Sequence, residues 1–198
     1  MQNNRSIIRL LLMLVAFPSL LLSACGGGET PKPRGYFRID LPKKEYALFD
    51  STSFPYRFEH PTYTKIFKDR EQGAEPYWIN LSFRGHKAVL HMSYKKLNGD
   101  LSKLLEDTHT FVYKHTIKAD NILETNFSAP ERKMYGTLYD IEGNAASVLQ
   151  FYLTDSSKNF VRGALYFYSR PNKDSLAPVI AYFREDVVRM METFSWKK

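Results

Sequence analysis

Cysteine occurs once in the 198 residues, at Cys25. A single thiol excludes an internal disulfide framework and any zinc or iron–sulfur site built from several cysteines. Glycine and proline number 10 each, too few for a collagen-like or low-complexity chain. No GxGxxG or P-loop stretch is present, so nucleotide binding has no sequence support. No GxSxG elbow occurs. None of the histidines His60, His86, His91, His109 and His115 forms HExxH or another close pair on one helical face, so no metal set stands out. The adjacent acids Glu106-Asp107 and Glu185-Asp186 read as solvated helix faces, because neighbours on a helix do not face each other. No apolar run reaches the roughly 20 residues a membrane-spanning helix needs.

The longest apolar run, Leu10 to Leu22, follows Arg5 and Arg9 and is interrupted by Pro18. It has the length of a signal-peptide core. Leu22-Ser23-Ala24-Cys25 then matches a bacterial lipobox. This predicts a lipoprotein signal peptide over 1–24, cleavage before Cys25, and acylation of Cys25, palmitate included. An ordinary signal peptide followed by a chance cysteine is the alternative. Two or more acyl chains at one residue anchor stably. The mature chain would be held on a membrane without spanning it, in the bacterial cell envelope and facing the periplasm.

The chain carries 28 Lys and Arg against 21 Asp and Glu, a formal charge of +7; loss of Arg5 and Arg9 with the leader lowers it to +5 (7 − 2). An envelope location argues against a nucleic-acid partner. The positive balance suits anionic lipid, glycan or an acidic protein, or simply a solvated surface with spare lysines.

Residues 25–35 read as the lipidated N-terminus and a flexible linker, glycine-rich and then proline-rich. Residues 36–198 read as a single globular domain. Tyr36–Leu41 alternates like a first strand. Phe54, Tyr56 and Phe58 share one face of a second, which Pro61 ends. Tyr77–Phe83 and Ala88–Tyr94 form the clearest antiparallel pair, turned at Arg84-Gly85-His86-Lys87. Asn98-Gly99-Asp100 is a breaker and cap before a helix carrying Leu101, Leu104, Leu105, Thr108, Phe111 and Val112. A loop follows. Met134–Ile141, Ala145–Thr154 and Val161–Tyr168 read as three strands. A last helix starts near Asp174 or Ser175, with Pro178 in its first turn. Its apolar stripe runs from Leu176 through Phe183 to Phe194. The expected class is α+β, an antiparallel sheet with packed helices. The order of these elements resembles the PsbP/Mog1 sandwich.

Aromatic residues make up 15% of the chain. In Gln150-Phe151-Tyr152 and Tyr166-Phe167-Tyr168 successive aromatics must face opposite sides of the sheet. One face can be core. The other is covered by helices, or is an aromatic binding face.

Several segments follow one another behind the lipobox: PKPRGYFRIDLPKKEY (31–46), FPYRFEHP (54–61), SYKKLNGDL (93–101), KHTIKAD (114–120), QFYLTDSSKNFVRGALYF (150–167), PNKDSLAPV (171–179) and TFSW (193–196). Together they resemble the gliding motility lipoprotein GldD family over essentially the whole mature chain. The resemblance implies a non-enzymatic component of surface gliding, an apparatus linked to type IX protein secretion. The implied partners are other gliding lipoproteins and the secretion or motor complex. It implies no cofactor and carries over no catalytic or metal residue. Motif density and expected exposure single out Arg34, Tyr36 and Arg38, the turn residues Asp155, Ser156 and Lys158, and Arg162, Arg170, Asn172 and Asp174 as partner contacts. The same residues also suit turns and caps. A periplasmic small-ligand or glycan-binding lipoprotein, using an aromatic groove on the sheet, is the competing reading.

Overall fold

Strand periodicity governs most of the chain. In the computed structural model, which describes residues 39–168 and 173–197, the elements in order are β1 (Tyr46–Phe49), β2 (Tyr56–Pro61), β3 (Thr64–Lys68), β4 (Ile79–Phe83), β5 (Ala88–Lys96), α1 (Leu101–Tyr113), β6 (Ala119–Ala129), β7 (Met134–Gly143), β8 (Ser147–Thr154), β9 (Asn159–Phe167), α2 (Lys173–Thr193) and β10 (Ser195–Trp196). Two antiparallel sheets result. The large one runs β3-β4-β5-β9-β8-β7-β6 and the small one β1-β2-β10. With two helices packed on these sheets, the class is α+β, as expected.

The pleat sorts side chains into two sets. Ile79, Met92, Gly163, Phe151 and Leu138 lie in one cross-strand row, with Asn80, His91, Ala164, Gln150 and Tyr139 in the adjacent row on the opposite face. The first face, here the inner one, is the core. It is roofed by α2 through Val179, Phe183, Val187, Met190 and Met191 and by Tyr56 and Phe58 of β2, all under 3% exposed. Phe58 and Phe194 stack at 5.7 Å with planes 2° apart. Arg132 caps the end of α2 by donating to the Phe194 carbonyl at 3.1 Å and to that of Glu192. Gly163 has a packing reason: a Cβ there would run into the Phe151 ring. The second, outer face receives α1 at one end only, where Val112 meets Tyr139, Ile141 and Ala145.

Several expectations need correction. Within Tyr36–Leu41, the part that is described, 39–41, has no strand; the first strand is β1, and the rest lies outside the described residues. Tyr77 is not in a strand. It turns the chain with a φ of 69°, and β4 begins at Ile79. The stretch read as a loop after α1 holds β6, an edge strand whose residues are mostly exposed. Strand β3 went unseen in the sequence and is the opposite edge. Pro178 lies beyond the first turn of α2, which begins at Lys173. Asp100 precedes α1 without a side-chain cap, its carboxylate accepting the Asn98 N–H instead. Phe111, placed on the apolar stripe, is 44% exposed.

Among the described residues no helix is long and apolar enough to cross a membrane, and no three His, Cys, Asp or Glu side chains gather as a metal set.

Candidate functional site

Because α1 covers only part of the outer face, a groove remains between it and strands β5 and β9. Its cavity volume is about 610 Å³. The strands present alternate residues to it: His91, Ser93 and Lys95 from β5, and Phe160, Arg162, Ala164 and Tyr166 from β9. Helix α1 contributes Leu104, Asp107, Thr108 and Phe111 at helical spacing. Trp78 closes one end, its indole N–H donating to the Tyr94 carbonyl at 2.8 Å. At the other end the Tyr168 hydroxyl lies 3.0 Å from His91 Nε2. The aromatic excess in the sequence thus divides between the core and this partly covered outer face.

Arg162 occupies the groove wall. Its Cζ sits 4.8 Å from the Phe111 ring centroid, within cation–π range. Its Nη2 donates to Gln150 Oε1 at 2.5 Å, and its Nε has no acceptor among the described residues. Burial pushes the guanidinium below its ordinary value, and no carboxylate among the described residues offsets that. Burial also lowers the pKa of nearby His115, with the Arg162 charge adding to the effect.

A second polar cluster lies on the other side of the sheet. Asp186 was read as part of a solvated helix face, yet it is 1% exposed. Its Oδ1 accepts from Tyr46 at 2.8 Å, its Oδ2 from Tyr63, and Lys44 Nζ stands 3.4 Å away. Burial first, and then these bonds to Asp186, raise the pKa of both tyrosines. Each oxygen of the Asp186 carboxylate thus accepts from one tyrosine hydroxyl. The cluster fastens the segment leading into β1 onto α2, aided by Tyr182 donating to the Pro42 carbonyl and Lys44 to that of Tyr182.

Among the described residues, the sequence-predicted contacts divide between the β8–β9 turn, the groove and α2. Arg34, Tyr36, Arg38, Arg170 and Asn172 lie outside the described residues, as does the lipidation residue Cys25; Asp174 is in α2, its side chain not described. Asp155 organises the β8–β9 turn. Its Oδ1 accepts the backbone N–H groups of Lys158, Asn159 and Ser157 at 2.7, 2.9 and 3.0 Å. Burial works to raise its carboxyl, but these bonds together hold it below the usual value. Ser156 takes a φ of 63° in that turn, and the Lys158 carbonyl accepts from the Leu97 N–H. Of the described candidates only Arg162 reaches the groove. Its partners Phe111 and Gln150 were not singled out, because nothing local in the sequence shows that α1 lies over β9. Ser93 and Lys96 have SxxK spacing, but in a strand residues three apart face opposite sides.

The family model described as gliding motility lipoprotein GldD matches residues 27–196. Among solved structures, the solution structure of cyanobacterial PsbP from Synechocystis sp. PCC 6803 is similar with a TM-score of 0.49 and 13% identity, covering 81% of this chain and 98% of that one. No curated protein matches the sequence.

Proposed function

The chain belongs to the gliding motility lipoprotein GldD family, a membership that makes it a gliding motility component of the cell envelope, and from it we propose a non-enzymatic scaffold that works by docking other proteins. Acyl chains on Cys25 hold it on a membrane, residues 26–35 give reach, and the domain from 36 onward docks a periplasmic partner. The partners are other gliding lipoproteins and the secretion or motor complex of the type IX system. Confinement to a membrane raises a partner's effective concentration, so a modest interface suffices.

The observation that carries the scaffold reading is the edge strand β6. It is 11 residues long, pairs among the described residues only with β7, carries Leu123 at 48% exposure and follows Ile117 at 90%. An open edge with apolar side chains at hand can accept a strand from another protein, with backbone hydrogen bonds supplying affinity.

The test is a C-terminal tag on the protein in its own cells, cross-linking, gentle solubilisation and identification of what co-purifies, with Cys25→Ala as the control. Gliding or secretion components should be recovered with the lipidated chain and lost from Cys25→Ala. Ile117→Lys with Leu123→Lys should deplete them while leaving lipidation and protein level unchanged. Recovery of a partner-free monomer would refute the reading.

A further inference from the structure

The geometry points to a binding site for a small organic monocarboxylate with an aromatic or aliphatic body, seated in the groove between α1 and the outer face of the sheet with its carboxylate facing Arg162. This goes beyond the scaffold reading and does not depend on it.

The charge balance of Arg162 is the first ground. Other arginines of the domain meet carboxylates: Arg184 forks onto Asp140 at 2.7 and 3.0 Å, and Arg189 reaches Glu59 at 2.8 Å. Arg162 is more enclosed, yet it has a neutral amide and an aromatic ring. A guanidinium withdrawn from water without a counter-charge is costly.

Hydrogen bonding is the second. Arg162 Nε and Gln150 Nε2 are both buried donors lacking an acceptor among the described residues. The two side chains are bonded to each other through Gln150 Oε1, which fixes the orientation of the amide. Gln150 is fully buried and does not line the groove, so the group a ligand meets there is the Arg162 guanidinium, whose positive charge calls for a group that only accepts. An ionised carboxylate is such a group, and its planar fork matches a guanidinium.

The walls define the remainder of the ligand. Trp78, Leu104, Phe111, Phe160 and Tyr166 are apolar or aromatic, and a volume of about 610 Å³ lies in the range of small-molecule sites. Asp69, Glu71 and Asp107 also line the groove. Their negative charge opposes extended polyanions such as anionic polysaccharides or bisphosphates. A single carboxylate placed at Arg162 keeps its charge on a groove cation that meets no carboxylate among the described residues, whereas Lys95 meets Glu75.

The probe is 3-phenylpropionate, titrated into the full lipidated chain in mild detergent and read by calorimetry and by the fluorescence of Trp78, with Trp196→Phe removing the second indole. Its uncharged analogue 3-phenylpropionamide and inorganic phosphate are run alongside. The expected result is saturable binding of the carboxylate with a Kd on the order of 1 mM or tighter, as suits so small a ligand. The amide should bind at least about tenfold more weakly, because its NH₂ cannot accept. Phosphate should not compete. Arg162→Gln should abolish the preference for carboxylate over amide. Phe111→Ala, on an exposed helix position, should weaken binding of both without altering thermal unfolding. Absence of saturable binding, equal binding of acid and amide, or a carboxylate preference unchanged in Arg162→Gln would each overturn the proposal. If Arg162→Gln fails to fold, Phe111→Ala and the acid–amide comparison on the unaltered chain decide it.

Discussion

Replacing Asp186 by asparagine should destabilise the domain by about 2–4 kcal/mol. The side chain is 1% exposed and each oxygen accepts from a tyrosine hydroxyl, Tyr46 on Oδ1 and Tyr63 on Oδ2. Hydrogen bonds to a charged acceptor contribute about 1.5–3 kcal/mol each. Asparagine keeps one acceptor and turns the other position into a donor that faces a donor. One tyrosine hydroxyl is left unpaired, and Lys44, 3.4 Å from Oδ1, loses a counter-charge. Lys44 still has Glu185 at 2.7 Å, so its share of the loss is small. Tyr63→Phe alone should cost about 1.5–3 kcal/mol by the same reasoning. In the double variant the second change should add little, a coupling of about 1–2 kcal/mol. Urea unfolding followed by tryptophan fluorescence measures all three differences, with the slope m checked for constancy. Asp186→Asn within about 0.5 kcal/mol of the unaltered chain, or strict additivity with Tyr63→Phe, would show that the cluster does not fasten the segment ahead of β1 to α2.

Three further outcomes follow from packing and titration. Gly163→Ala should cost about 1–3 kcal/mol by equilibrium unfolding, since the new methyl meets the Phe151 ring in the packed inner face. His60 is held below its ordinary 6.5 by burial, only partly countered by its bond to the Pro61 carbonyl. The unfolded chain therefore binds a proton first, so stability should decline as pH falls below about 6.5, and His60→Gln should flatten that decline in melting scans. Asp155→Ala removes the acceptor for the N–H groups of Ser157, Lys158 and Asn159 and should cost about 1–2 kcal/mol. Because its folded carboxyl titrates below the usual 3.8, this contribution is full at neutral pH and fades as pH falls through the folded value.

What could be read from the chain followed how far each element is buried. Strands β4 and β5 alternate cleanly because one face is core, and the stripe of α2 is apolar for the same reason. Strands β3 and β6 escaped notice because they are edges: TKIFK and ADNILETNFSA lack a continuous buried face, and their polar residues keep an open edge in water. Asp186 was misread because its sequence neighbours Glu185 and Arg184 are solvent-side residues, whereas its partners Tyr46 and Tyr63 lie more than 120 positions away. Arg162 was singled out for its motif. Its role depends on where α1 crosses the sheet, which no local pattern encodes.

Arg162 is also where the two functional readings meet, and a single charge reversal there cannot separate them. Arg162→Glu would remove a surface contact if the residue docks a protein, and would repel a carboxylate if the groove binds a small acid. The surrounding residues do separate them. Leu123 and Ile117 belong to β6 and the turn before it and do not line the groove, whereas Leu104 and Phe111 do. If spreading of colonies depends on protein docking at the β6 edge, Leu123→Lys should impair it while 3-phenylpropionate binding stays unchanged. Phe111→Ala should do the reverse, weakening the ligand while the cross-linked partners persist. Loss of both properties from either single variant, at normal protein level, would mean that groove and edge form one surface and that the small carboxylate occupies part of a protein interface.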